Sequence, residues 1–472
     1  MKSFPPNCRS LALILACLVA LSGCWTLPRY LDAERDAREK SGAPLRIVGA
    51  DGGLMHGARV TIEAQLRSLD ADGSLARHLN IVTAIANAPL VVGNATDILI
   101  DGPNAYASIF AAIRAATDHI HIESFIFEEV DFDDRTSGFN DRLSAALIAK
   151  QKEGVTVRVL YDSVGSLSTP REFLDRLHEA GVQLCEFNPV NPLRAKLWRP
   201  NHRDHRKIVV VDGRVAFTGG INFHQVYRSG SAPLRMRSMP STSEGWRDTH
   251  LRVRGPVVRE FQELFVNSWT KQACGGQLDG ALFAQLEAAG SEIIKVVGSS
   301  PDGMLSRMYL TLISAMSYAR KSIYLTAAYF IPDPDTITAL VAARARGVDV
   351  RLLLPGFTDS WLAFHGGRSH YEALLAGGVR IYEHRDALLH AKTAVIDGVW
   401  STIGSSNIDW RSFCHNDEVN AVVLGESFGM EMTRIFNDDL SAAVEITAAD
   451  WAERGPSDRI LEWLARRWDQ LL

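Results

Sequence analysis

The chain is poor in several things, and each shortage removes a class of function. Positive charge is not in excess: 472 residues carry 50 lysines and arginines against 55 aspartates and glutamates, for a formal net charge of −5. Proteins that hold nucleic acid usually show a basic excess, so no nucleic-acid partner is expected. Long apolar runs are also missing. Leu11 to Leu21, LALILACLVAL, is too brief to span a bilayer, and no later stretch reaches the ~20 residues that a transmembrane helix needs. Asp, Glu, His and Cys do not cluster at metal-ligand spacing, so neither a metal nor a cofactor is expected. Cysteine is scarce, at six. The remaining composition is that of a globular protein, long enough for two to three domains.

Apolar residues do gather near the N-terminus. Lys2 and Arg9 precede the Leu11–Leu21 run, which closes on LSGC, Leu21 to Cys24. A short apolar run behind a basic start suits a signal-peptide core. LSGC resembles the lipobox of bacterial lipoproteins. That resemblance implies loss of residues 1–23, lipidation of Cys24 and a catalytic body on the periplasmic side of the cell envelope. Trp25, rather than Asp, follows, which by the same resemblance favours the outer membrane. A plain secretory signal with an unrelated Cys is the alternative. Cys8 and Cys17 would leave with the signal. Cys185, Cys274 and Cys414 then remain, and an exported protein allows a disulfide among them without requiring one.

Residues 24–85 read as a polar, partly helical segment or tether. From Ala88 onward, strand and helix patterns alternate. HIHIESFIF, VTVRVLYD and VQLCEF read as strands; AYASIFAAIRAATD, DRLSAALIAKQKEG and TPREFLDRLHEAG read as helices, two of them stopped at Gly154 and Gly181. The order then repeats. IYLTAAYF, VDVRLLLP and VRIYEH are strands between helices, with Gly347 stopping one of them. We therefore expect two tandem α/β units, at 86–275 and 276–472, related by a pseudo-two-fold axis.

Each unit contains one unusual strand. HRKIVVVDG begins at His205, and LHAKTAVIDG carries His390. The offsets 390−205, 392−207 and 397−212 all equal 185, and Gly219 with Asn222 recurs as Gly404 with Asn407. Side chains alternate along a strand, so His205 and Lys207 share one face. Either half alone has an incomplete acid–base set. Together they offer two imidazoles and two ammonium groups. One His can attack as a nucleophile while the other protonates a leaving group. Lys207 and Lys392, with Asn222 and Asn407, can hold the oxygens of a phosphate.

The chain here resembles the phospholipase D superfamily, whose mark is two H-x-K-x-x-x-x-D motifs, and within it the bacterial cardiolipin synthase branch. The supporting stretches include HIESFIFE, GVTVRVLYD, HRDHRKIVVVDGRVAFTGGIN, WRDTHLRVRGP, AYFIPD, LLHAKTAVIDG and IGSSNIDWRSFCHNDEVN. They extend from about Pro89 into the 430s. The resemblance implies paired phospholipase D-like α/β sandwich units with the active site at their interface. It also implies a phosphatidyl-histidine intermediate, with His205 as nucleophile and His390 as general acid, then base. The near symmetry of the halves leaves the reverse order open. Asp212 and Asp397 complete the six-residue catalytic motif set; we read them as structural, capping the strand-end turns with Gly213 and Gly398. Asp248 in WRDTH and Glu418 in NDEVN sit at matching places and can accept the second imidazole N–H, fixing its tautomer.

Expected partners are anionic phospholipids, phosphatidylglycerol first, and a membrane surface. NPLRAKLWRPNHRDHRK mixes Arg194, Lys196, Arg199, Arg203 and Arg206 with Leu193, Leu197 and Trp198, which suits an anionic lipid interface, a nucleic-acid backbone or else a solvated basic loop. His119 and His121 are not expected to be catalytic, His202 and His224 sit near the motif, Glu123 is a candidate for the pocket floor, and Met304, Met308 and Met316 suit core filling. The expected activity is condensation of two phosphatidylglycerol molecules into cardiolipin and glycerol. Alternatives are a phospholipase D delivering the phosphatidyl group to water or another alcohol, a metal-independent nuclease, and a non-catalytic envelope lipoprotein.

Overall fold

The computed structural model describes residues 45–471 apart from 55, 70–72, 87, 135–138, 192–198, 232–244, 277, 279–281 and 303–305. The signal sequence, Cys24 and the 192–198 part of the basic stretch lie outside the described residues.

The aliphatic run Ile208–Val211 shows how the sheets are layered. Ile208 and Val210 enter a core with Leu251, Ile294, Val395, Ile403 and Val419, drawn from both halves of the chain. Val209 and Val211 point the other way, into a core with Ile109, Phe110 and Ile113 of the first unit. Burial on both faces is why the strand reads as continuous apolar sequence.

The first unit contributes β1 (Leu90–Ile100), β2 (His119–Ser124), β3 (Thr156–Asp162), β4 (Gln183–Phe187), β5 (Lys207–Val211), β6 (Val215–Gly219) and β7 (Thr249–Arg254). The second contributes β8 (Glu292–Ser299), β9 (Ser322–Thr326), β10 (Asp349–Pro355), β11 (Arg380–His384), β12 (Thr393–Ile396), β13 (Trp400–Gly404) and β14 (Asn416–Leu424). The first sheet runs β4-β3-β2-β5-β6-β7-β1, parallel through β4-β3-β2 and antiparallel beyond. The second runs β11-β10-β9-β12-β13-β14-β8 with the same pattern. A short antiparallel pairing of β1 with β8 joins them. The duplicated sequence thus gives a palindromic strand order and the expected tandem α/β units.

Helices cover the outer faces. Asp101–Ala115 buries Ala105, Tyr106, Ile109, Phe110 and Ile113, a helical stripe, against the first sheet. Its counterpart Arg307–Tyr318 is capped by the Ser306 side chain and buries Met308 and Met316. Residues 45–86 are helical in part, at His56–Ser68 and Ser74–Ala86, and are packed rather than free: Leu66, Leu75 and Leu79 enter the second unit's core, and His78 bonds Ser314 at 2.9 Å. A disulfide joins Cys185 on β4 to Cys274 after the helix Val258–Lys271, while Cys414 is buried and free. Beyond β14 the chain forms helices Glu426–Leu440, Ala448–Ala452 and Pro456–Ala465 and a 3-10 turn Arg466–Leu471. Among the described residues, no helix is long and apolar enough to cross a membrane.

Candidate active site

The two motif strands begin where the units meet. The His205 N–H donates to Asp417 O at 2.9 Å, and the His390 N–H donates to Arg247 O at 2.8 Å. Each motif histidine is therefore stitched by its backbone to the other unit. The side chains follow. Nδ1 of His205 lies 3.0 Å from both carboxylate oxygens of Glu418, and Nδ1 of His390 lies 2.7 Å from Asp248. Both carboxylates singled out in the sequence thus lie within hydrogen-bond distance of a motif imidazole, and each meets the imidazole of the other unit. With Nδ1 occupied, Nε2 is the ring nitrogen left for chemistry.

All four basic groups are buried. Lys207 Nζ donates to His205 O at 2.7 Å, and Lys392 Nζ donates to His390 O at 2.5 Å. Burial lowers the Lys207 ammonium to about 7 and that of Lys392 to about 8. Burial holds the His205 imidazole well below its ordinary value, and Lys207, Lys392 and His390 push the same way. His390 is lowered too, by burial and Lys392, but Asp248 pulls it back. Burial raises the Glu418 carboxyl to about 7. Burial thus favours a neutral imidazole at His205, leaves His390 the better proton carrier and brings the titration of both lysines close to neutral pH. Phe125 packs on His205 at 5.0 Å and Trp246 on His390 at 5.1 Å, narrowing the approach.

Asn222 lines a small cavity with Lys207, and Asn407 lines one with Lys392. The Asn222 side chain accepts from the Ile126 N–H and donates to Tyr227. Asp212 and Asp397 lie at the far ends of their strands, in left-handed conformation at φ 54° and 55°. They do not cap their own turns as expected. The Asp212 carboxylate collects the N–H groups of Thr117, Asp118 and His119, and that of Asp397 collects those of Arg320, Lys321 and Ser322. Each pins the entry of the neighbouring strand, β2 or β9, so their part in the motif is architectural.

The basic stretch needs a second correction. Arg203 and Arg206 are buried rather than presented to a lipid surface. Arg203 pairs with Asp162 at 3.5 Å; Arg206 pairs with Glu123 at 3.4 Å and donates to Ser268 at 2.8 Å. Arg199 is exposed and pairs with Asp302 at 2.5 Å. The second unit has Leu388 and Ala391 where the first has Arg203 and Arg206, so the two halves are braced differently. Glu123 lines the small cavity of Lys207. The His119 and His121 rings lie tilted against each other at 4.4 Å, and Gln262 bonds both. His202 pairs with Asp417, and His224 with Glu128.

Sequence reasoning missed several groups. The Tyr227 hydroxyl lies 3.1 Å from Nδ1 of His390, and the Ser405 hydroxyl donates to Glu418 at 2.5 Å. Ser405 stands where the first unit has Gly220. A Cβ at Gly220 would sit 2.2 Å from the Asp248 carboxylate, so only glycine fits. The contrast between TGGIN and IGSSN was the available signal.

Residues 109–228 and 312–440 match the family described as "Cardiolipin synthase, PLD-like domain", and each stretch contains one motif. The cardiolipin synthase of Alkalihalophilus pseudofirmus is 33% identical over 420 residues, covering 89% of this chain and 80% of the relative. Cardiolipin synthase 1 of Bacillus anthracis is 33% identical over 402 residues, covering 83% of this chain and 75% of the relative. A solved phosphatidylserine synthase from Haemophilus influenzae superposes with a TM-score of 0.57 at 12% identity, over 82% of this chain and 96% of that one, and shares the fold. Paired motifs, crosswise dyads and these likenesses place the chain in the cardiolipin synthase family of phospholipase D-like proteins.

Proposed function

We propose that the chain is a phosphatidyltransferase, a cardiolipin synthase that turns two phosphatidylglycerol molecules into cardiolipin and glycerol. The observation that carries this is the pair of buried imidazoles from opposite units, each aimed through Nδ1 by the other unit's carboxylate. Nε2 of His205 attacks the phosphorus of the first lipid. The bond from phosphorus to the glycerol head group breaks, and His390 gives that oxygen its proton. The phosphatidyl group now sits on His205. The hydroxyl of a second phosphatidylglycerol gives its proton to His390 and attacks phosphorus, and the P–N bond breaks. Lys207 and Lys392 hold the phosphate oxygens, with Asn222 and Asn407 beside them. No nucleotide donor is required, because the intermediate conserves the phosphodiester energy. Purified protein should convert labelled phosphatidylglycerol in micelles to equal amounts of cardiolipin and glycerol. Phosphatidic acid as the sole lipid product would instead assign a phospholipase D.

The protein is a bacterial membrane-associated enzyme on this reading, anchored through acylated Cys24 with its catalytic body in the periplasm, at the outer membrane. LSGC supports this, as does the Cys185–Cys274 disulfide, since disulfides persist in oxidising compartments. Cys24→Ser should abolish precursor processing and acylation; unchanged processing would refute the anchor.

A further inference from the structure

The C-terminal helix Pro456–Ala465 faces the wrong way for a core helix. Its buried residues are Glu462 and Ala465. Its large apolar residues point outward: Ile460 is 59% exposed, Trp463 57% and Leu464 44%, and Trp468 in the turn that follows is 39% exposed. Positions 460, 463, 464 and 468 form one stripe at helical spacing.

Charge follows the same surface. Arg459, Arg466 and Arg467 are exposed, and Arg467 lies over the Trp463 ring at 4.6 Å. Of the nearby acids, Glu462 turns to Arg454 and Asp469 to His370, while Asp458 is partly exposed and Glu453, before the helix, is exposed. The outward face is thus tryptophan-rich, aliphatic and cationic. Tryptophan prefers the level of lipid head groups, and arginine complements their phosphates.

The surface adjoins the candidate site. The helix Trp361–Arg368 packs against Pro456–Ala465. Its Trp361 is 52% exposed and packs on His365 at 5.0 Å, and His365 feels the Asp458 carboxylate. Two residues before Trp361, Asp359 accepts from the Tyr329 hydroxyl at 2.6 Å, and the Tyr329 ring is 6.4 Å from that of His390. Residues 466–471 pack on the helix Trp410–Cys414, whose Arg411 bears on His205.

We propose that Ile460, Trp463, Leu464 and Trp468, with Arg459, Arg466 and Arg467, form the surface that docks onto an anionic bilayer and brings the site mouth to the lipid. This rests on the phosphatidyltransferase reading only for its purpose, because docking itself is measurable without turnover. The occupant is a bilayer rather than a second copy because the stripe is flanked by three exposed arginines for which no ion pair is seen among the described residues, and because it lies beside the candidate lipid site.

Hydrogen exchange on the full chain tests it. Vesicles of phosphatidylcholine containing phosphatidylglycerol should slow exchange across residues 456–471, and pure phosphatidylcholine vesicles should do so weakly. Replacing the three arginines by Gln should raise the vesicle concentration for half-protection on the order of 100-fold. The variant Ile460→Ser/Trp463→Ser/Trp468→Ser should lose at least tenfold in rate on phosphatidylglycerol vesicles and little on the same lipid dispersed in detergent. Unchanged exchange in 456–471 on adding vesicles would overturn the proposal, as would protection that rises with protein concentration without lipid, the mark of a second copy. Wild-type protein that binds vesicles through this segment but turns over neither lipid form would refute the enzymatic reading and leave docking standing.

Discussion

Asp248→Asn should disable a histidine that belongs to the other unit. Asparagine keeps the shape and an acceptor oxygen, but it removes the charge 2.7 Å from Nδ1 of His390. A hydrogen bond to an ionised partner contributes about 1.5–3 kcal/mol, so steps in which His390 holds a proton should slow roughly 10- to 150-fold. The direction of the shift agrees: Asp248 raises His390 against burial, so its loss leaves the imidazole less protonated. The damage depends on the leaving group. Glycerol needs a proton as it departs; nitrophenol does not. Stopped-flow with a phosphatidyl-nitrophenol ester should therefore show a near-normal burst in Asp248→Asn, followed by slow turnover. Intact-mass measurement should find the phosphatidyl group held on His205. Glu418→Gln should behave otherwise. It serves the nucleophile, so its loss should slow the burst whatever the leaving group. With the Glu418 carboxyl at about 7, the defect should grow as pH rises through 7 and fade below it, where glutamine imitates the protonated acid. Equal slowing of nitrophenol and glycerol release in Asp248→Asn would refute the assignment, and a leaving-group dependence appearing in Glu418→Gln would reverse the two histidines.

His205→Ala and His390→Ala should each cost several orders of magnitude in turnover, and the double variant little more, because the two act as one unit. Free-enzyme kcat/KM should fall as pH rises through about 7 and about 8, where Lys207 and Lys392 lose the charge that binds phosphate; Lys207→Arg should remove the lower step from the pH profile, since guanidinium does not titrate there. Asp212→Ala strands the N–H groups of Thr117, Asp118 and His119 and should lower unfolding free energy by about 2–3 kcal/mol in urea titrations, with the folded fraction still active. Burial raises the Asp212 carboxyl, but those N–H bonds outweigh it and the net shift is downward, so this contribution is complete above the ordinary carboxylate range and fades as pH falls through the lowered value. Reducing the Cys185–Cys274 disulfide, which closes a separation of 89 residues, should cost about 4–5 kcal/mol on loop entropy and shift the urea midpoint down.

The parts of the site legible in the sequence were those with a period. The 185-residue offset exposed the duplication, and the alternation in HRKIVVV placed His205 and Lys207 on one face. Asp248 and Glu418 were legible as orienters because WRDTH and NDEVN stand in matching places. Which imidazole each would serve was not, since an offset carries no information about how two folded units meet. Arg203 and Arg206 misled for a related reason. Beside Leu197 and Trp198 they read as a basic lipid-facing loop, but Asp162 and Glu123, which pair with them, lie 41 and 83 residues earlier, since 203−162 = 41 and 206−123 = 83. Asp212 and Asp397 were read as capping their own turns because local geometry is all a sequence displays; their carboxylates reach the entry of the neighbouring strand in the sheet instead. Tyr227 had no motif to announce it, and Ser405 showed only as the difference between TGGIN and IGSSN.

The crosswise dyads also bear on how the enzyme comes into being. The carboxylate that aims His205 lies 213 residues further along the chain. Domains fold as units, N-terminal first, during synthesis. The first unit can therefore finish folding while Glu418 and His390 are still unmade. Through that interval His205 has no orienting partner and no proton donor opposite it. A nascent or truncated chain that lacks the second unit should be chemically silent toward the lipids it meets. Catalytic power arrives in one step, when the second unit docks, so activity itself certifies that the chain was completed and correctly assembled.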